Sequence, residues 1–134
     1  AVATTSKGTA LASADVYQCL NIPAESVILH ADMEVTEILT GTSSDTGYDL
    51  GITGGDVDNF VDGFDADGAA AGDYAPTPAA YAPVMVGAAD TLDILVAAQT
   101  GTTLTGKVRV FATLMDVSDV GDTSANEVDR DTLA

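Results

Sequence analysis

Residues 27–36, Val27-Ile28-Leu29-His30-Ala31-Asp32-Met33-Glu34-Val35-Thr36, alternate apolar and polar side chains through most of their length. Successive side chains of a strand point to opposite faces. A period of two therefore predicts a strand with Val27, Leu29, Ala31, Met33 and Val35 on a core and His30, Asp32, Glu34 and Thr36 on the other side. The same alternation returns at Tyr48, Leu50 and Ile52, at Leu92, Ile94, Val96 and Ala98, and at Val108, Val110, Ala112 and Leu114. Shorter β-like runs occupy residues 15–20 and 84–86, and no stretch shows a convincing helical period.

The breaks between these runs carry turn chemistry. Asn21-Ile22-Pro23-Ala24 separates the first two strands, which are expected to follow one another directly. Residues 41–47 read as a hairpin loop, 87–90 as a turn and 99–106 as a polar loop. Pro76, Pro78 and Pro83 have no N–H to give to a ladder, so residues 72–83 form an extended loop. A short helix is expected near residues 60–64, capped by Asp56 or Asp58. Roughly six to eight short strands with regular turns imply an all-β fold, an antiparallel β-sandwich, with the jelly roll as one arrangement of it. The domain spans 13–117, between an extended N-terminal arm, 1–12, and an acidic C-terminal tail, 118–134. Polar arms of this kind need a neighbouring subunit or a lattice contact to order them.

Charge narrows the partners. The chain has 21 Asp plus Glu against 4 Lys plus Arg, a net charge of −17, yet 46% of its residues are hydrophobic, which is enough for a core. Such a field repels phosphate backbones and anionic lipid, so neither nucleic acid nor a membrane surface is expected as a partner. The same surplus also serves solubility, or a salty setting in which self-repulsion is screened. No apolar run reaches the roughly 18 residues of a membrane span, and the opening residues lack the apolar segment of a signal peptide.

Residues for chemistry are scarce, with one His and one Cys in 134. Cys19 has no second thiol to pair with and no cationic neighbour to make a thiolate, so it reads as a small buried hydrophobe. His30 lies among Asp32 and Glu34 and reads as a surface histidine. Gly54-Gly55 is not followed by the Lys and Ser/Thr of a phosphate loop. Asp56, Asp58, Asp62, Asp65 and Asp67 supply oxygen ligands of the kind calcium prefers. Counted from Asp56, however, an EF-hand fails at its fifth (Phe60), sixth (Val61) and twelfth (Asp67) positions. A solvated loop explains the segment as well, and no catalytic residue, metal or cofactor is assigned. No enzymatic activity is expected.

The last long strand is unusual on its second face, where Arg109, Phe111, Thr113 and Met115 mix a charge with large apolar groups. Either the chain's own loops cover that face or a subunit interface does, and Arg109, Phe111 and Met115 are the candidate interface residues.

Several local phrases carry a resemblance. The run Asp15-Val16-Tyr17-Gln18-Cys19-Leu20-Asn21-Ile22-Pro23-Ala24 is one, and Met33-Glu34-Val35-Thr36 another. Tyr48-Asp49-Leu50-Gly51-Ile52 with the Gly-Gly-Asp-Val-Asp-Asn-Phe-Val-Asp after it, Ala89-Asp90-Thr91-Leu92-Asp93, and Lys107-Val108-Arg109-Val110-Phe111 complete the set. Together, over residues 13–117, they resemble small virion proteins of tailed bacteriophages. The resemblance implies a decoration or cement protein on the capsid exterior, a β-rich homotrimer whose partner is the major capsid protein. It fixes no individual functional residue. A host-facing, glycan-binding head on the same scaffold is the alternative, with Tyr74 and Tyr81 as stacking platforms, and a tail or neck structural protein is another.

Overall fold

The computed structural model describes residues 10–42, 44–78 and 81–118. The arms expected over 1–12 and 118–134 lie almost wholly outside them. The described residues form seven strands and no helix: β1 (Val16–Ile22), β2 (Ser26–Gly41), β3 (Asp45–Gly51), β4 (Val61–Asp65), β5 (Val84–Val86), β6 (Asp90–Thr100) and β7 (Thr103–Asp116). They pair antiparallel into a four-stranded sheet, β1-β6-β3-β4, and a three-stranded sheet, β5-β2-β7. The two sheets pack face to face as a β-sandwich. Every connection except β3–β4 crosses between sheets. The described strands follow the order of the last seven strands of an eight-stranded jelly roll.

Apolar side chains from both sheets meet in one core. Ile28, Ala31, Met33 and Val35 of β2 and Val110 of β7 face Leu20 and Ile22 of β1, Leu50 of β3 and Leu92, Ile94 and Val96 of β6. With few aromatics available, the layer is filled mainly by branched aliphatic residues, and Phe60 is the largest fully buried side chain. Tyr48 is buried on the inner face of β3. Burial first, then the neighbouring Tyr17 and Asp67, pushes its phenol up to about 12. An unfolded tyrosine ionises near 10. Between those values the unfolded chain releases a proton that the folded one keeps, so stability should fall as pH rises, by at most about 1.4 kcal/mol per pH unit. Denaturant titrations across that range should show Tyr48→Phe losing less stability than the parent chain; equal losses would contradict the assignment.

Four expectations need correction. The alternation of β2 does not run through unbroken. Ile28 pairs with Leu114 and His30 with Thr113, so Leu29 is skipped by a β-bulge and parity inverts there. Ile28 is consequently buried while Val27 and Leu29 turn outward. Residues 60–64 form no helix. Leu50 pairs with Val61 and Tyr48 with Phe64, so β4 holds one extra residue, accommodated at Gly63 with φ +63°. The Gly63 N–H donates to Asp49 Oδ1 at 2.7 Å, and the bulge brings Val61 and Phe64 to the same face at a spacing that imitates a helix. Residues 41–47 are no hairpin, because β2 and β3 belong to different sheets. The polar loop at 99–106 shrinks to Gly101 and Thr102 between two long strands.

The start of the proline-rich segment is extended as expected and adds to the edge of β2 beyond the end of β5. Gly72 and Ala75 donate to the Val35 and Met33 carbonyls at 2.7 and 3.0 Å, and Val35 donates to Asp73 at 2.9 Å. Glu34 and Tyr74 bridge at the centre of this patch.

Candidate interaction surface

Register decides what the outer face of the three-stranded sheet displays. Glu34 lies opposite Arg109, Asp32 opposite Phe111, His30 opposite Thr113, and Val27 between Met115 on β7 and Met85 on β5. The face therefore divides into a charged and aromatic half and an apolar half.

In the first half Arg109 Nη1 donates to Glu34 Oε2 at 3.2 Å and Lys107 pairs with Glu37. These are the two cations among the described residues, both spent on one face. Lys107, Glu37 and Arg109 are solvent-exposed and Glu34 half-buried, so each pair contributes about 1 kcal/mol or less and serves to offset local acidity rather than to hold the fold. Asp32 accepts the Met33 N–H at 2.7 Å. Burial raises its carboxyl above the usual range, against the lowering by that hydrogen bond and by His30.

Aromatic rings form a chain from the core to solvent. Phe60 lies 5.8 Å from Tyr81, Tyr81 5.9 Å from His30, His30 6.4 Å from Phe111, and Phe111 6.1 Å from Tyr74 in an edge-on contact. His30 is thus half-buried among rings, whereas its strand position alone implied an open surface. Phe111 is partly covered by the chain's own loop through Tyr74. Tyr81 is a plug whose hydroxyl is buried without a hydrogen-bond partner, and as such it offers no stacking face. Tyr74 does, being 57% exposed.

Among the described residues nothing covers the second half in this way. Met85 is 59% exposed, Met115 46% and Leu29 38%, and Val27 joins the two methionines into one strip across all three strands. Of the three candidates taken from sequence, Arg109 and Phe111 lie in the first half and Met115 in the second. Sequence reasoning missed Met85 and Val27. Met85 lies on a strand too short to show alternation, and the inversion at Leu29 moved Val27 from the side its neighbours implied.

Elsewhere the Asp-rich segment is spread out. Asp56, Asp62 and Asp65 are exposed, and hydrogen bonding with Asp56 is the main cause that raises the Asp58 carboxyl. Among the described residues no group of three or more His, Cys, Asp or Glu side chains is arranged to hold a metal. Cys19 is half-buried and its Sγ lies 3.2 Å from the Tyr17 carbonyl oxygen, to which it donates. Burial, followed by a lowering hydrogen bond from the Ile94 backbone and a raising charge on Asp93, leaves its thiol above the ordinary range. That is the opposite of what an activated thiolate needs.

Comparison of the chain with protein-family models, with curated proteins and with solved structures finds no match.

Proposed function

We propose that this chain is a structural virion protein of a tailed bacteriophage, a decoration or cement protein that sits as a homotrimer on the capsid exterior and stabilises assembled major capsid protein. The observation that carries the reading is the strip of exposed Met85 and Met115 joined by Val27 across the outer face of the three-stranded sheet. Flexible thioethers adapt to the contours of a partner, and a contiguous exposed apolar patch marks a contact surface. Both described cations lie on the same face, so a neighbour, itself acidic, meets less repulsion there. The virion assignment rests on the resemblance of residues 13–117. The mechanism is mass action: a protein that binds the assembled lattice but not its free subunits shifts the equilibrium toward the lattice, with no reaction required.

The isolated chain should be trimeric by light scattering at roughly tens of micromolar, and Met85→Ser with Met115→Ser should give a monomer that still melts cooperatively. A parent chain that is already monomeric would remove the interface argument. Particles assembled without the protein should burst more readily under heat or osmotic shock, and equal resistance would remove the cement role. A glycan-binding head is a second reading, favoured only by the exposed ring of Tyr74; glycan-array binding lost in Tyr74→Ala would support it instead.

A further inference from the structure

Asp93, in the middle of β6, is 3% exposed, and both its carboxylate oxygens are buried without a hydrogen-bond partner. A carboxylate shut away from water with no donor is strongly disfavoured, so an enclosed one calls for a compensating partner. The two described cations do not serve, since Lys107 and Arg109 are paired with glutamates on the other sheet.

Asp93 faces Gln18 of β1 on one side, and its charge reaches the Cys19 thiol; on the other side its surroundings are acceptors. In register it faces Gly51 of β3, and paired residues carry their side chains on the same face with Cβ positions about 5 Å apart. Residues 52–60 fold back directly over that spot. A Cβ on Gly51 would lie 2.2 Å from the Asp56 carbonyl oxygen and 2.6 Å from that of Val57. The absent side chain is what lets these main-chain oxygens come down onto the sheet at the residue paired with Asp93. Among the described residues no further pair of acidic side chains joins them. A lone carboxylate with main-chain carbonyls is a poor set for zinc but an ordinary start for a hard cation, which takes oxygen ligands and completes its shell with water.

We propose that Asp93, with the carbonyl oxygens of Asp56 and Val57, binds a small hard cation of the calcium type that ties residues 52–60 to the sheet. The site is independent of the sheet face discussed above and of any virion role. It also differs from the carboxylates displayed on the Asp-rich segment, whose side chains it does not require.

The test uses the full chain, freed of metal by a chelator and melted at constant ionic strength with calcium, with magnesium, or with sodium replaced by choline. Asp93→Asn and the double variant Asp56→Asn, Asp58→Asn are melted in parallel. Calcium should raise the melting temperature of the parent chain and of the double variant but not of Asp93→Asn. Terbium, read by tyrosine-sensitised luminescence, should bind Asp93→Asn at least about tenfold more weakly. A parent chain indifferent to calcium would overturn the proposal. So would a calcium response of equal size in Asp93→Asn, which would mark general screening of an acidic surface. Should Asp93→Asn not fold, native mass spectrometry of the parent chain decides. One retained calcium per chain is expected, and none would refute the site.

Discussion

Gly51→Ala should destabilise the domain by about 3 kcal/mol, near the top of the range for overpacking, because what the new methyl meets is main chain. The nearest atoms are the Asp56 carbonyl oxygen at 2.2 Å and the Val57 carbonyl carbon at 2.4 Å, neither of which can swing aside as a side-chain tip does. Gly51 lies at the end of β3, paired with Asp93, so a shift of the sheet is resisted by the ladder on its other side. The segment above it is tied down as well, since Ile52 donates to Asp56 and Phe60 to Leu50, each at 3.0 Å. Urea unfolding of the two proteins measures the difference. A change below about 0.5 kcal/mol would mean that residues 52–60 do not rest on β3 in solution.

Phe60→Ala should cost about 4 kcal/mol and lower the melting temperature by on the order of 10 °C. Phe60 is 1% exposed and is the largest fully buried side chain in this core. It also begins the chain of rings that runs through Tyr81 toward His30 and Phe111. Its removal opens a cavity that short aliphatic neighbours cannot refill, and domains of this size have only about 5–15 kcal/mol in hand. Phe60→Leu, which keeps most of the volume, should lose much less. Thermal unfolding followed by circular dichroism distinguishes the two variants. Similar, small losses in both would place Phe60 outside the core.

Much of the fold was legible in the chain because alternation and turn chemistry are local. Leu50, Leu92, Ile94, Val96 and Val110 are buried as their periods implied, and the prolines of 72–83 exclude a central strand where the structure has a loop. What was not legible depends on register, which is a property of pairs of strands. The inversion at Leu29 leaves no mark in a sequence that alternates on both sides of it. The three-residue spacing of Val61 and Phe64 fits a helical turn as well as a bulge, and only pairing with Tyr48 and Leu50 decides between them. Asp93 lies on the outward parity of β6, where solvent is the natural expectation. Its burial comes from a loop folding across Gly51, a distance effect that neither residue announces. The candidate surface was legible in part: Met115 from its parity on β7, but not Met85 or Val27 beside it.

The skipped residue at position 29 separates two stretches of the second strand, Ser26–Ile28 and His30–Val35, each in its own phase. Shortening a strand by one residue ordinarily turns every side chain beyond the cut inside out. Here Ile28 already points inward and His30 outward, so a chain lacking Leu29 would resume plain alternation with the interior unchanged. The sandwich thus contains a place where its length is free to vary by one without rewriting the rest of the strand.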